Sequence, residues 1–138
     1  MQRLFVDTAA WIALEAANDQ YHGAAMTLLH EAGTRYRWTT TNWVIWESVT
    51  WLRRRVNHQA AVRFGGQVRA SSLLERVIIT PEHEARAWEI FVRHRDKDFS
   101  YVDCASFAVM ESLGIGVAFT FDRHFARYGL RTVPETSG

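Results

Sequence analysis

The sequence has little of what would indicate a secreted or membrane-bound protein. Its single cysteine, Cys104, can form neither an internal disulfide nor a thiolate metal site, which favours a reducing compartment. No run of ~18 apolar residues is present, as a spanning helix would require, and the apolar run near Met1 is too short for a signal peptide core. We therefore expect a cytoplasmic protein that does not associate with membranes, in which Cys104 is a small buried residue.

Linkers and repeats are also absent. The chain contains only two prolines, Pro81 and Pro134, and no repeat, low-complexity tract or segment rich in proline, glycine or serine. With 138 residues, 48% of them hydrophobic, it is long enough to bury roughly 70% of the surface that its unfolded form exposes. We therefore expect residues 1–138 to form a single domain.

The chain has no strong excess of charge of either sign. A net charge of +1 excludes a uniformly basic body that binds nucleic acid by bulk attraction. Only Lys97 among the 16 basic residues is a lysine, and the rest are arginines, whose planar fork matches phosphate oxygens. A GC-rich genome that favours arginine codons would explain this excess equally well, so composition alone only permits RNA binding.

Short β-prone runs alternate with helical segments along the chain. The predicted strands are residues 4–6, 38–40, 74–79 and 117–120, with a possible edge strand at 131–133. The predicted helices are residues 9–16, 21–32, 43–56, a segment after 57, 81–94, 101–113 and 122–128. This alternation predicts a parallel sheet that is covered by helices on both faces.

Several predicted helices are bounded by residues that commonly stop or start a helix. The predicted N-caps are Asn42, Asn57, Thr80 and Ser100, and the predicted glycine stops are Gly33 and Gly114. The pair Gly65-Gly66 is expected to weaken or break the helix that follows Asn57, because glycine disfavours helix interiors.

Four carboxylates stand where an α/β fold could bring them together: Asp7, Glu47, Asp103 and Asp122. Asp7 closely follows one predicted strand and Asp122 another, and ligands of open parallel sheets bind beyond the carboxyl ends of the strands. Glu47 and Asp103 lie early in predicted helices. If the four meet, their repulsion would raise their pKa values unless a hard divalent cation is bound. The pattern therefore predicts a metal site.

Each acid also has a structural alternative. Asp7 and Asp122 could cap the helices that follow them, and Asp103 has the spacing of a capping box with Ser100. Glu47 shares a helix face with large apolar side chains, where an unpaired carboxylate would cost several kcal/mol and so needs an arginine, a metal or water. Independent caps have no reason to occupy these particular strand ends together, so the conjunction favours a functional role.

The order and spacing of four segments carry a resemblance to a known family. The segments are Phe5-Val6-Asp7-Thr8-Ala9, Thr41-Asn42-Trp43-Val44-Ile45-Trp46-Glu47, Asp98-Phe99-Ser100-Tyr101-Val102-Asp103-Cys104 and Phe119-Thr120-Phe121-Asp122-Arg123-His124-Phe125. Over essentially its full length the chain resembles the PIN-domain nucleases, and among them the VapC-type toxins of bacterial toxin–antitoxin pairs.

The resemblance implies a three-layer α/β/α sandwich with a mainly parallel sheet, and a homodimer that a protein antitoxin inhibits. It also implies cleavage of single-stranded or loop RNA with Mg²⁺ or Mn²⁺ held by an acidic quartet. By position the quartet is Asp7, Glu47, Asp103 and Asp122, and the residues expected to orient it are Thr8, Ser100 and Thr120. Some relatives carry a further acid shortly after the fourth, where this chain has Arg123 and His124.

Other residues are weaker candidates. An acidic centre repels RNA, so a basic rim is expected, although a solvated helix face explains its candidates equally well: Arg53, Arg54, Arg55, Arg63 and Arg69. The six histidines show no spacing typical of a metal-free ribonuclease, and we assign them surface or structural roles; His124 is the one to test, because it adjoins Asp122. Trp11 or Trp51, if exposed, would suit a contact with an antitoxin or a second copy.

Two other functions stay compatible with the sequence. The chain could be a non-catalytic module of the same fold that binds RNA or protein, or a housekeeping nuclease that processes RNA. Metal-dependent cleavage separates the first from a nuclease, and growth arrest on expression separates the second from a toxin.

Overall fold

A computed structural model describes residues 1–135, which form five strands and seven helices. In chain order these are β1 Arg3–Val6, α1 Thr8–Glu15, α2 His22–Ala32, β2 Arg37–Thr41, α3 Asn42–Arg55, α4 His58–Ala70, β3 Glu75–Val77, α5 Pro81–Arg93, α6 Tyr101–Leu113, β4 Val117–Phe119, α7 His124–Tyr128 and β5 Arg131–Val133. No helix within this part of the chain is long and apolar enough to span a membrane.

All five strands are parallel and lie in the order β3-β2-β1-β4-β5. From β1 the chain adds β2 and then β3 on one side, and it then crosses back to add β4 and β5 on the other side of β1. As a result, α1–α4 cover one face of the sheet and α5–α7 cover the other. The predicted α/β/α sandwich is thereby confirmed. The winding reverses between β1 and β4, and their adjacent carboxyl ends form the crevice where such folds bind ligands.

Aromatic side chains fill both layers of the core. On the α1 side, Trp11 packs against Trp38 with ring centroids 6.0 Å apart, and Trp38 meets Phe119 edge-on at 5.7 Å. On the opposite side, Phe125 packs against Phe5 at 6.1 Å and edge-on against Phe107 at 5.0 Å. Trp11 is only 7% exposed, so the expectation that it could offer a surface contact is wrong. Cys104 is buried, as the composition predicted.

Most of the predicted helix starts are confirmed, with one shift. Asn57, Thr80 and Ser100 each accept a capping hydrogen bond at the start of α4, α5 and α6. At α3 the cap is Thr41, whose Oγ1 accepts from the Val44 N–H at 3.1 Å. The prediction that Asn42 is the cap was therefore wrong, because the last residue of β2 is already extended and offers its hydroxyl to the first turn.

Helix α4 runs without a break through Gly65 and Gly66, so of the two predicted effects of this pair, weakening or breaking the helix, the break does not occur. A Cβ at Gly65 would lie 3.6 Å from Val49 Cγ2 of α3, which shows how closely the two helices approach. Tertiary packing of this kind outweighs the propensity cost of glycine. By contrast, Gly114 ends α6 as predicted, with a φ of 67° that favours glycine.

Candidate active site

The four predicted acids line one cleft of about 450 Å³ at the carboxyl ends of β1 and β4. Asp7 directly follows β1, and its N–H donates to the Phe119 carbonyl of β4 at 3.1 Å, which fixes this strand end. Glu47 lies in the second turn of α3 and Asp103 in the first turn of α6. Asp122 follows β4 after two residues. Four positions spread over 116 residues of sequence are thus brought around one opening, because strand ends and helix starts share this edge of the sheet.

Asp7 and Glu47 are held by two threonine hydroxyls. Thr120 Oγ1 donates to Asp7 Oδ2 at 2.9 Å, and Thr8 Oγ1 donates to Glu47 Oε1 at 2.7 Å. Asp7 occupies the N-cap position of α1, yet its side chain makes no capping hydrogen bond there. The capping alternative therefore does not account for Asp7, and both threonines lie where residues that orient the acids are expected.

Asp103 and Asp122 are held by backbone amides and by His124. Asp103 Oδ2 accepts from the Ser100 N–H at 3.0 Å in a complete capping box, so this acid caps α6 while it faces the cleft. The same oxygen lies 2.8 Å from His124 Nδ1, and Asp122 Oδ1 accepts from the His124 N–H at 2.9 Å. The other carboxylate oxygen of Asp103, and that of Asp122, accepts no hydrogen bond from residues 1–135.

Burial and mutual repulsion raise the pKa values of three of these acids. The pKa of Asp7, which is 3% exposed, rises from 3.8 to about 7, mainly through burial and then through the neighbouring charge of Asp103. Burial also raises the pKa of Glu47, to which Asp103 and Asp122 add repulsion. It raises the pKa of Asp103 as well, with Asp122 again adding repulsion. The residues around the cleft therefore do not fully stabilise the negative charge of these three acids.

Within the described residues, no lysine or arginine forms an ion pair with any of the four acids. Arg55, which also lines the cleft, pairs instead with Asp19 at 3.6 Å. The basic group nearest the acids is His124, whose Nδ1 lies 2.8 Å from Asp103 Oδ2 and 3.3 Å from Asp122 Oδ1. A set of carboxylate oxygens with free lone pairs and no lysine or arginine partner among the described residues fits Mg²⁺ or Mn²⁺, both of which prefer oxygen ligands.

His124 is the residue in the cleft whose place the sequence did not predict. Its Nδ1 lies within hydrogen-bond distance of Asp103 Oδ2 and 3.3 Å from Asp122 Oδ1. The ring rests edge-on against Phe99 with centroids 5.6 Å apart, and one ligand atom each from Asp103, Asp122 and His124 lie within 4.8 Å of one another. The sequence marked His124 for testing because it adjoins Asp122, but the surface or structural role assigned to it did not include the contact with Asp103.

The structure does not gather the five predicted arginines into one rim. Arg55 alone lines the acidic cleft, whereas Arg53 and Arg69 line a separate groove between α3 and α4. The Arg54 guanidinium lies over the Trp51 ring, and Arg63 lies near Glu15, whose pKa burial raises against the opposing charge of this arginine. Successive helical residues are rotated by about 100°, so a run of arginines on a helix points in several directions.

A comparison with models of known protein families identifies the family to which the fold around this cleft belongs. Residues 4–130 match the family model of the PIN domain. The chain belongs to the PIN-domain family. The resemblance drawn from the four sequence segments is confirmed, and the acidic cleft lies within the matched PIN region.

Two comparisons with the same relative extend over nearly the whole PIN-domain chain. It is 41% identical over 133 residues to the 23S rRNA-specific endonuclease VapC20 of Mycobacterium tuberculosis, which covers 96% of this chain and 99% of the relative. A crystal structure of Mycobacterium tuberculosis VapC20, described as a sarcin–ricin loop cleaving toxin, superposes with a TM-score of 0.86 and 38% identity, covering 92% of this chain and 95% of the other.

Two more distant structures share the fold alone. VapBC2 from Rickettsia felis, bound to a DNA fragment from its promoter, has a TM-score of 0.71 at 10% identity and covers 95% of this chain and 97% of the other. A toxin–antitoxin complex from Klebsiella pneumoniae has a TM-score of 0.68 at 13% identity and covers 97% and 99%. The PIN architecture therefore persists where little of the sequence does.

Proposed function

We propose that this PIN-domain protein is a metal-dependent endoribonuclease that acts as the toxin of a toxin–antitoxin pair. The observation that carries the proposal is the convergence of Asp7, Glu47, Asp103 and Asp122 on one cleft without a lysine or arginine partner among residues 1–135. The 41% identity to a 23S rRNA-specific endonuclease supports RNA as the substrate. We further propose that residues 1–138 act as one domain in the cytoplasm.

We propose that Asp7, Asp103 and Asp122 hold Mg²⁺ or Mn²⁺, and that Glu47 orients an attacking water. The bound ion would supply Lewis acidity at that water and neutralise the charge that develops on the phosphate. The protein's own contribution is to fix the acids: Thr8 and Thr120 each hold one carboxylate oxygen. Groups that form hydrogen bonds to metal ligands set the orientation and the basicity of those ligands.

His124 and Ser100 hold Asp103 from the side that faces away from its free oxygen. The Ser100 N–H and His124 Nδ1 both contact Asp103 Oδ2, which leaves Oδ1 without a hydrogen bond from the described residues. Likewise, the free Oε2 of Glu47 can accept a hydrogen bond from water while Oε1 stays on Thr8. No side chain is needed as a nucleophile, because hydrolysis in this scheme uses water.

We also propose a homodimer and an antitoxin partner. The dimer is supported by an exposed aromatic face on α5, where Trp88 is 58% exposed and stacks on Phe91, with ring centroids 6.1 Å apart. Phe91 in turn contacts Tyr101 of α6, so the face extends across two helices. Exposed aromatic clusters of this kind commonly mark protein contacts. The antitoxin is supported by the toxin–antitoxin complex among the structures that share the fold.

Growth of a bacterial host tests the toxin role. Induced expression of the wild-type protein should arrest growth, and Asp103→Asn at the same expression level should restore growth, because the variant lacks one acid of the cleft. Growth curves after induction, with immunoblots to match protein levels, are the measurement. Normal growth with the wild-type protein would contradict the toxin role and favour a housekeeping nuclease or a binding module.

A further inference from the structure

Two aromatic side chains at the mouth of the acidic cleft are exposed to solvent over more than a third of their surface. Tyr21 is 40% exposed and Trp51 is 39% exposed, and both line the same cleft as the four acids. Arg55 lines it as well. We call Tyr21, Trp51 and Arg55 the aromatic rim. The folding of the chain does not require this exposure, because large aromatic side chains gain most when they are buried.

Tyr21 is anchored on the sheet through a ring stack. Its ring lies parallel to that of Phe121, with centroids 4.6 Å apart and an angle of 3° between the planes. Phe121 directly precedes Asp122 and packs edge-on against Phe119 of β4, with ring centroids 6.0 Å apart. One face of Tyr21 is therefore fixed beside the acids, and its exposed part extends a stack that a further planar group can join.

Trp51 and Arg55 form the other part of the rim, on α3. Trp51 lies one helical turn after Glu47, and the Arg55 guanidinium lies 5.2 Å from the centre of its ring. Arg55 also pairs with Asp19 Oδ1 at 3.6 Å, while Asp19 Oδ2 accepts from the Tyr21 N–H at 2.9 Å. Asp19 thereby links the two parts of the rim, so that Tyr21 and Trp51 are held at fixed positions around one opening.

The charge of the cleft limits what can bind to this rim. Four acids repel a phosphate backbone, whereas an uncharged nucleobase offers a planar face that stacks on aromatic rings and on guanidinium groups. A base in a duplex is already stacked between its neighbours, but a base in a loop or single strand can turn outward onto a protein surface. Stacking of this kind contributes about 5- to 150-fold in affinity per base.

We propose that the aromatic rim binds unpaired nucleobases of the RNA substrate beside the phosphate that is cleaved. The inference depends on the proposed function of the cleft as an RNA-cleaving site, and it assigns the selection of unpaired RNA to Tyr21 and Trp51. Arg55 contributes a guanidinium cation that stacks on Trp51 and faces the RNA.

The test uses RNA binding by a variant that does not cleave. In an Asp103→Asn background, a fluorescently labelled single-stranded RNA and the same RNA annealed to its complement are titrated with protein, and anisotropy reports affinity. Tyr21→Leu and Trp51→Leu should each weaken binding of the single strand at least about fivefold and leave duplex binding unchanged. Trp51→Phe, which keeps an aromatic face, should retain most of the affinity.

Two controls separate the loss of base stacking from the general effect of removing an exposed side chain. Trp46→Leu removes a tryptophan of α3 that is 52% exposed and does not line the acidic cleft, and it should leave RNA binding unchanged. The second control is an RNA with abasic nucleotides around the cleaved position. The Asp103→Asn protein should bind this RNA as weakly as the protein that also carries Tyr21→Leu binds the intact RNA. Adding Tyr21→Leu should not weaken binding of the abasic RNA any further. Thermal melts confirm that each variant is folded.

Some outcomes would overturn the proposal. Tyr21→Leu and Trp51→Leu variants that bind single-stranded RNA as well as Trp46→Leu does would refute it, as would equal losses of affinity on intact and abasic RNA. Variants that bind RNA normally but no longer bind a partner protein would show that the rim is a protein contact. Failure of the proposed function is distinct: wild-type protein would then show no metal-dependent cleavage, whatever the rim variants do to binding.

Discussion

Substitution of Asp103 by asparagine is expected to lower the rate of RNA cleavage about 10³-fold or more. Asp103 contributes a carboxylate oxygen with no hydrogen bond from residues 1–135, in the cleft that Asp7, Glu47 and Asp122 also line. Loss of one metal ligand removes several kcal/mol of charge stabilisation, and each 1.36 kcal/mol corresponds to a factor of ten in rate. Asparagine keeps an oxygen that can accept the Ser100 N–H, so α6 should keep its cap.

The measurement is single-turnover cleavage of a labelled RNA by purified protein with Mg²⁺ or Mn²⁺, and again with excess chelator. Asp7→Asn should behave like Asp103→Asn. Asp96→Asn is the matched control, because Asp96 is an exposed aspartate that pairs with Lys97 and does not line the cleft. Cleavage by both cleft variants at the wild-type rate would mean that another site, or a contaminating nuclease, performs the reaction.

The metal-free protein is expected to lose stability as the pH rises from about 4 to about 7, and Asp7→Asn should remove much of this loss. The pKa of Asp7 is 3.8 in its unperturbed state and about 7 in the fold. Between these values the folded protein retains a proton that the unfolded chain releases. The free energy of unfolding therefore falls as the pH rises. The full shift corresponds to about 4 kcal/mol above pH 7, which is an upper value because Asp7 and Asp103 are coupled.

Thermal unfolding in the presence of chelator, at pH 5 and pH 8, measures this effect. At pH 8 the Asp7→Asn variant should melt several degrees above the wild-type protein, and at pH 5 the difference should shrink. Comparison of the two proteins is needed because other groups titrate as well: the pKa values of Glu47 and Asp103 are also raised, whereas Arg3 lowers that of Glu75. A variant that is less stable than the wild-type protein at pH 8 would contradict the burial of an uncompensated charge.

The element pattern of the fold was predictable because local signals agree with the final structure. Thr80-Pro81 and Ser100 start helices with caps that act within four residues, and Gly114 ends α6 through its own backbone preference. Asn42 and Gly65 were misjudged because their roles depend on residues elsewhere in the chain. The side chain of Asn42 accepts from the Ile79 N–H, and Gly65 lies against Val49 of the neighbouring helix.

The convergence of the acids was predictable for a topological reason, whereas their surroundings were not. Asp7 and Asp122 closely follow strands that turn out to be neighbours, so a parallel sheet alone brings them to one edge. The pair Tyr21 and Phe121, one hundred residues apart in sequence, has no local signal. The contact of His124 with Asp103 depends on how α7 packs against α6, which sequence spacing does not give.

A calorimetric titration of the metal-free protein with Mn²⁺ tests most directly whether the four carboxylates form a cation site. The wild-type protein and Asp96→Asn should show the same saturable binding, and Asp7→Asn and Asp103→Asn should each weaken it by at least about tenfold, because each removes one oxygen donor's charge from the cleft. Equal Mn²⁺ binding by all four proteins, or no binding by the wild-type protein, would contradict a metal site at this cleft.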